Sequence, residues 1–298
     1  MLLRTIKSIV LYNLAILIFM FSIPACSWGN ECLLDVTTNV VNYSTNTVKP
    51  LLDAHPDKDR LSQLLKVVEI MHDPEIGIHV NQMSPNDFFI FDKLNKISPR
   101  FLQSIFLIKF SRQQKVILQR WHSKYMLEHP ANVFFAVSAD EIIKTQAAFG
   151  CTHYARAFIA IAKALNLVNN PRDLRYVVSS KADDYNKALK AHDYNMTING
   201  HQFVLVKIRS EWIAINTSKG DTKMMPEGFS PDSFAPPRNI PIHFDSYPDD
   251  VVFLLRKIGR DCNDDCGDNS LSALMNISRS GDPEKAAFAW EKYELIKQ

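Results

Sequence analysis

The stretch GCTHYARAFIAIAKAL, residues 150–165, carries the strongest indication of fold and chemistry in the chain. Apolar residues recur in it at helical spacing, so we expect a helix from Cys151 to Leu167 whose apolar side packs on a sheet or another helix. A thiol at the first position of a helix faces unpaired backbone N–H groups and the positive end of the helix dipole, which stabilise a thiolate. The stretch therefore predicts a buried helix with a nucleophilic cysteine at its start.

Strands are predicted downstream of this helix. Residues 174–180 (LRYVVSS) form one, and residues 201–208 and 211–216 form a hairpin around the two-residue turn Arg209-Ser210. Residues 251–258 are compatible with a further strand or a helix. A helix followed by antiparallel strands places the chain in the α+β class.

The hairpin brings two polar residues together. In the register set by the two-residue turn, His201 lies opposite Ser218. Asn216 lies opposite Phe203, so His201 and Asn216 share one face, diagonally ~7–8 Å apart at the backbone. A slip of one residue would separate them onto opposite faces. The order Cys151, His201, Asn216 suits covalent catalysis, in which histidine moves the thiol proton and a side-chain oxygen fixes the imidazole tautomer.

These residues resemble the transglutaminase-like superfamily. GCTHYA at 150–155, with Phe158 and the LNL at 165–167, is similar to its nucleophile helix. GHQFVLV at 200–206 and WIAINT at 212–217 are similar to its histidine strand and its acid strand. The resemblance covers residues 146–220, about a quarter of the 298 residues.

The resemblance implies a papain-like core, in which a nucleophile helix packs on an antiparallel sheet, and thiol acyl chemistry on amides. Cys151 would be the nucleophile, His201 the base and Asn216 the residue that orients His201. We therefore expect a cysteine-dependent amide hydrolase, in particular a peptidase, that acts on a protein or peptide. A crosslinking or deamidating acyltransferase and a catalytically inactive binding module remain open, because the superfamily contains all of these.

The sequence departs from the family pattern in three places. Asn216 stands where an aspartate is usual, which gives less charge stabilisation to an imidazolium. Gly150 and Thr152 flank the cysteine where calcium-dependent bacterial members carry acids, so we expect neither calcium nor another metal or cofactor. No residue is a clear oxyanion donor; Gln146 is the candidate, beside the Cys151 backbone N–H.

Two further histidines, His153 and His192, are alternatives for the base. His153 lies two residues along the same helix as Cys151, so its side chain points away from the thiol. His201 remains the preferred base.

Composition excludes one class of partner. The 298 residues are 46% hydrophobic and 22% charged, which is typical of a globular protein. The formal net charge is only +2, with basic and acidic residues interspersed, so nucleic acid is not an expected partner.

The N-terminus resembles a secretory signal. Arg4 and Lys7 precede an apolar run at 8–23, and small residues follow up to residue 29. We expect export, with a mature chain that begins between Cys26 and Glu31 and lies in the periplasm, outside the cell or on a membrane. A retained anchor helix remains an alternative, and so does a lipoprotein in which a lipidated Cys26 tethers the protein to the membrane.

The domain organisation predicted from these patterns has four parts. They are the signal sequence (1–29), a helical N-terminal region (30–138), the catalytic core (139–250) and a C-terminal helical extension (251–298). Helices are expected at 59–71, 101–121 and 139–150, and a proline-rich arm at 224–248 is expected to wrap the surface. In the extension Cys262 and Cys266 form the natural disulfide pair of an exported protein, although Cys32 can pair with either.

Overall fold

A helix that begins at the candidate nucleophile packs against an antiparallel sheet in the computed structural model of the chain. The structure describes residues 34–80, 111–121, 137–148, 150–191, 199–233 and 240–259, all of which belong to one compact unit. Several predictions lie outside the described residues: the signal sequence, Cys26, Cys32, residues 101–110 of the second helix, His192, the Cys262–Cys266 pair and the rest of the C-terminal extension after 259.

The described chain alternates between helices and strands. The helices are α1 (Thr38–Tyr43), α2 (Lys49–Ala54), α3 (Arg60–Met71), α4 (Arg112–Trp121), α5 (Ala139–Thr145), α6 (Cys151–Ala164) and α7 (Ala182–Lys190). The strands are β1 (His79–Val80), β2 (Ala147–Ala148), β3 (Leu174–Lys181), β4 (Gly200–Ile208), β5 (Glu211–Ile215), β6 (Thr222–Met224), β7 (Pro241–Ile242) and β8 (Phe253–Gly259). A π-helical stretch, Ser44–Val48, joins α1 to α2. None of the helices in these ranges is both long and apolar enough to span a membrane.

Helix α6 is the central helix of the described chain. Every residue from Thr152 to Ala162 is buried, since the helix packs against β3 and β4 on one side and α1, α3 and α5 on the other. It ends three residues before the predicted boundary, because Asn166 takes a left-handed conformation (φ 51°). The Leu167 N–H then bonds to the Ala162 carbonyl, which is the terminating pattern of a Schellman motif.

The main sheet has six antiparallel strands in the order β6-β5-β4-β3-β8-β7. The predicted hairpin is confirmed: β4 and β5 pair with Val204 opposite Ile215, which continues to Phe203 opposite Asn216. Arg209 at the turn has a positive φ of 59°, as tight hairpin turns require. The coarse prediction of an α+β fold, with helices and an antiparallel sheet, is therefore confirmed.

Strand β8 changes the predicted boundary at residue 250. Residues 253–259, which sequence analysis placed in a helical extension, form a strand between β3 and β7. Phe253 and Leu255 pack on one side of the sheet and Leu254 on the other. A strand apolar on both faces lacks the alternation that distinguishes strand from helix in a sequence, and for this reason the pattern was ambiguous.

Helix α5 is shorter than predicted. Ser138 caps its start by accepting from the Glu141 N–H, as expected for a residue at that position. The helix ends at Thr145 instead of 150, because Gln146 adopts a left-handed conformation (φ 47°). Ala147 and Ala148 then form β2, which pairs in parallel with β1. Gly150, two residues after the end of β2, immediately precedes α6.

The sheet separates two hydrophobic clusters. Val204 and Val206 of β4 pack in the cluster that contains α6. Phe203 and Leu205 pack in the second cluster, together with Phe244 of the proline-rich arm. The arm is therefore not only a surface feature, because Phe244 is fully buried. The alternation along β4 decides which side chains can approach Cys151.

Candidate active site

Cys151 is the first residue of α6 and is half-buried. Its Sγ–H donates to the side-chain oxygen of Gln202 at 2.7 Å, and the Thr152 hydroxyl donates to the same oxygen at 3.2 Å. Burial raises the pKa of the Cys151 thiol, and hydrogen bonds from backbone N–H groups, including that of Gln202, oppose this shift only in part. The free protein therefore holds Cys151 as a protonated thiol at neutral pH.

His201 and Asn216 form the pair that the hairpin register predicts. Nε2 of His201 lies 2.9 Å from Oδ1 of Asn216, and both residues are buried, with exposures of 2% and 0%. The pKa of His201 is lowered to about 4, mainly by burial and in small part by Lys219, although the bond to Asn216 and the charge of Asp221 act to raise it. His201 is therefore a neutral imidazole at pH 7.

Four aromatic rings surround His201. They belong to Phe203, Phe244, Tyr247 and Phe253, with centroids between 5.2 and 6.1 Å from the imidazole. Such rings exclude water from the imidazole and fix its orientation. The apolar surroundings explain the direction of its pKa shift, because they disfavour the charged form.

The amide of Asn216 is held from behind by Asp221 and Ser246. Its Nδ2 donates to the Asp221 carboxylate at 2.7 Å and to the Ser246 hydroxyl at 3.0 Å. Its Oδ1 also accepts from the Ser218 N–H at 3.3 Å. A short turn supports this arrangement, since the Asn216 N–H bonds to the Asp221 carbonyl at 2.9 Å.

Tyr247 lies near both the His201 imidazole and the Cys151 thiol. Its hydroxyl lies 3.5 Å from Nδ1 of His201, the ring nitrogen that does not face Asn216. Burial raises the pKa of Tyr247 to about 12, and the charges of Cys151 and Asp221 contribute in the same direction. Tyr247 is thus a neutral phenol within electrostatic range of the sulfur and in contact with the imidazole.

The structure brings together only some of the residues predicted from sequence. His201 and Asn216 are joined, whereas the hydrogen bond of Cys151 goes to Gln202, the residue after His201 on β4. Consecutive strand residues point to opposite faces, so Gln202 faces α6 and His201 faces the second cluster. In the part of the chain that the structure describes, no hydrogen bond joins Cys151 to His201. The catalytic triad remains a prediction.

The other candidates take different places. Gln146 ends α5 with an exposed side chain, and no hydrogen bond links it to Cys151 among the described residues. His153 is buried in α6 with its ring edge-on to Trp121, at a centroid distance of 5.3 Å. Neither position adds a group to the immediate surroundings of the thiol.

Sequence reasoning missed Gln202, Asp221, Ser246 and Tyr247. Strand alternation places Gln202 on the face opposite to His201, but the sequence does not indicate which of these faces lies over α6. Asp221 follows Asn216 by five residues in a polar turn, which is a weaker signal. Ser246 and Tyr247 lie in the proline-rich arm, and no local pattern indicates that the arm returns to His201.

A metal ion held by the protein would need several His, Cys, Asp or Glu side chains close together. Within the ranges that the structure describes, no three His, Cys, Asp or Glu side chains converge as metal ligands would. The polar groups around His201 instead bind one another in a chain of hydrogen bonds.

Comparison of the chain with protein-family models, with curated proteins and with solved structures found no match. The likeness to the transglutaminase-like superfamily therefore rests on the residues quoted from the sequence. The site combines a helix that begins with a cysteine and a chain of hydrogen bonds from the buried His201 and Asn216 to the half-buried Asp221.

Proposed function

We propose that the protein is an exported cysteine-dependent amide hydrolase of the transglutaminase-like type, with a papain-like core formed by α6 and the main sheet, and a protein or peptide as substrate. The observation that carries the proposal is the buried hydrogen bond between His201 and Asn216, 2.9 Å long, on the strand that also contacts Cys151. A carbonyl oxygen facing Nε2 leaves the lone pair on Nδ1, which is the form of imidazole that can accept a thiol proton.

In the proposed reaction the Cys151 thiol gives its proton to Nδ1 of His201, and the sulfur attacks an amide carbonyl carbon. The tetrahedral intermediate then breaks its C–N bond, while the imidazolium returns the proton to the departing amine. A thioester on Cys151 remains. Water gives a proton to His201 and attacks the thioester. Cleavage of the C–S bond then releases the acid, and the imidazolium returns its proton to the sulfur, which restores the thiol and the neutral imidazole.

The developing oxyanion needs two hydrogen-bond donors. The Cys151 backbone N–H at the start of α6 is one of them. Gln202 can supply the second donor, since its side-chain amide already lies at the sulfur, whereas the side chain of Gln146, the donor predicted from sequence, is exposed. Rotation of that amide would present its NH₂ group in place of its oxygen.

Activation requires a rearrangement, because the resting thiol bonds to Gln202. His201 faces the side of β4 opposite to Gln202, so binding of a substrate has to move both the Cys151 side chain and the start of β4 before the sulfur reaches Nδ1. Neutral thiol and neutral imidazole are the resting forms favoured by burial, with the Cys151 pKa raised and that of His201 lowered to about 4. Proton transfer then occurs within the substrate complex and not in the free protein.

The resting contacts of Cys151 and His201 also favour a second candidate, a binding module that keeps the fold without catalysis. A thiol held by Gln202 and a histidine packed among aromatic rings are compatible with a structural role for both residues. In that case the groups at the start of α6 would contribute only to packing.

A substrate-like electrophile separates the two candidates. We expect a peptidyl chloromethyl ketone to alkylate Cys151 of the folded protein faster than that of the urea-unfolded protein, as followed by mass spectrometry of the Cys151 peptide. His201→Ala should slow this labelling by roughly 10²-fold or more, and Cys151→Ala should abolish it. His55→Ala, remote in sequence and bonded to Ser62, is the matched control. Equal rates in wild type and His201→Ala would favour the binding module.

Hydrolysis and acyl transfer share the thioester and differ only in whether water or an amine reaches it. Incubation with labelled casein and a fluorescent primary amine measures both outcomes in one reaction. We expect new casein termini without bound amine. Amine incorporation without cleavage would instead assign the protein as a crosslinking acyltransferase.

Export is tested on the protein from its native source. Intact-mass analysis should find a mature N-terminus between Cys26 and Glu31, and a diacylglyceryl group on Cys26 would establish the membrane tether. Retention of Met1 would contradict cleavage of the signal sequence.

A further inference from the structure

We infer that Asp221 is a positioning residue of the proposed triad, which acts through the Asn216 amide to fix His201 with its hydrogen on Nε2 and to supply the negative charge that Asn216 lacks. The catalytic value of this arrangement rests on the proposed function. The orientation and the charge can be measured on the folded protein without any substrate.

The first argument is the direction of the hydrogen bonds. A carboxylate only accepts, so the Asn216 group that faces Asp221 at 2.7 Å must be the NH₂ group. Its second hydrogen goes to the Ser246 hydroxyl at 3.0 Å. The carbonyl oxygen of Asn216 therefore has to face His201, and Nε2 of His201 has to donate. The Ser218 N–H, 3.3 Å from Oδ1, favours the same order, and the contact with Asp221 is the shorter of the two.

The second argument is that Asp221 is itself held in place. Its carboxylate accepts from the Ser246 N–H at 2.9 Å and from the Ser246 hydroxyl at 3.0 Å. The Gly220 N–H bonds to the Asn216 carbonyl at 2.7 Å, which closes the turn between Asn216 and Asp221. Residues from the β5–β6 turn and from the proline-rich arm thus meet at this carboxylate.

The third argument is charge. Burial disfavours the imidazolium that forms during acyl transfer, and Lys219 opposes it as well. The Asp221 charge acts in the opposite direction, and the Tyr247 hydroxyl at 3.5 Å from Nδ1 is neutral. Asp221 is therefore the negative charge on the Asn216 side of His201. The carboxylate stands one hydrogen bond further from the imidazole than in a direct His–Asp pair.

The test is the tautomer and the pKa of His201, measured by long-range ¹H–¹⁵N NMR on ¹⁵N-labelled protein. Wild type should show the Nε2–H tautomer near neutral pH. In Asp221→Asn the new amide can donate as well as accept, so the tautomer should become mixed, and the pKa of His201 should fall by roughly half a unit or more. Asp53→Asn, which removes an exposed carboxylate on α2, is the control and should change neither quantity.

The exchanged pair Asn216→Asp with Asp221→Asn makes a second test. It keeps the chain of hydrogen bonds but moves the carboxylate directly onto His201, so the Nε2–H tautomer should return and the pKa should rise above that of wild type. This double variant also tests the role of Asp221 if Asp221→Asn alone does not fold. An unchanged tautomer and pKa in both variants would overturn the role of Asp221. If the tautomer changes in Asp221→Asn but the wild-type protein does not react with the chloromethyl ketone, the role of Asp221 stands and only the proposed function is overturned.

Discussion

His201 makes the stability of the protein depend on pH in a way that needs no assumption about catalysis. Its pKa is lowered by burial from 6.5 to about 4, so the unfolded chain binds a proton in this interval while the folded protein does not. The free energy of unfolding therefore falls as the pH drops through this window, by roughly 3 kcal/mol for this one group. Above about pH 6.5 the contribution is constant.

Urea unfolding of wild type and His201→Gln from about pH 8 to about pH 4.5 measures this effect. The stability advantage of wild type over the variant should shrink steadily below about pH 6.5, since the variant cannot take up the proton. Acidic residues titrate in both proteins, so the difference between the two isolates the histidine. A difference that stays constant over the range would contradict a buried neutral His201.

Gln202 determines the resting state of the thiol. Gln202→Met removes the oxygen that accepts from Cys151 and Thr152, which leaves two donors without this partner and should cost about 1–3 kcal/mol of stability. Released from Gln202, the thiol should react several-fold faster with iodoacetamide at neutral pH. Thr152→Val is the comparison in the opposite direction, because it keeps the bond between sulfur and amide but removes a hydroxyl whose hydrogen bond lowers the Cys151 pKa, so labelling should be slower. Slower or unchanged labelling of Gln202→Met would contradict this role.

For individual residues, the sequence predicted that His201 and Asn216 share one strand face, but it missed the other groups that complete the candidate site. His201 and Asn216 follow from hairpin register, which depends only on the turn length. Tyr247 and Ser246 approach over long sequence separations, and local patterns do not encode such contacts. The direction of the Cys151 hydrogen bond was also beyond prediction, because it depends on which face of β4 lies over α6.

Helices and strands with a clear hydrophobic period, or with a clear turn beside them, were predicted well. Strand β3, the β4–β5 hairpin and the start of α6 agree with expectation. Helix α5 ended early because a non-glycine residue took a left-handed conformation, which residue type alone does not indicate. Strand β8 was ambiguous, because both of its faces are buried.

Gly200 is where β4 begins, and its lack of a side chain allows β3 to approach. A Cβ at this position would overlap the backbone carbonyl oxygen of Ser179, the residue of β3 that pairs with His201. Gly200→Ala should therefore separate the strands beside the candidate base and lower the free energy of unfolding by about 1–3 kcal/mol. Gly150→Ala is the comparison, since no atom lies within 4 Å of a Cβ there. This variant should lose only the advantage that glycine has over alanine as the residue before a helix. Urea unfolding that ranks the two variants equally would contradict the close approach.

For the whole molecule, the α+β class followed from the order of helix and strands, whereas the strand order did not. Strands β3 and β8 are neighbours although β4 to β7 intervene in the chain. Such pairing depends on packing on both faces of the sheet, and one face is closed by the proline-rich arm. Proline, which cannot donate to a ladder, predicted only an extended surface segment there.

Phe244 is the residue through which the arm closes the second cluster, so its removal should affect both the fold and the site. The ring is fully buried, 5.2 Å from the ring of Phe203 and 5.8 Å from that of His201 between centroids. Phe244→Ala should leave a cavity and cost about 3–5 kcal/mol in the free energy of unfolding.

The same variant should let water reach the imidazole, which raises the pKa of His201 from about 4 toward 6.5. Tyr247→Phe is the control for the arm, because it keeps the ring and removes only the hydroxyl that faces Nδ1. We expect it to retain most of the stability that Phe244→Ala loses. Urea unfolding and an NMR titration of His201 on both variants measure the two effects together. A destabilised Phe244→Ala protein in which the pKa of His201 stays near 4 would mean that the sheet, and not the arm, keeps this histidine dry.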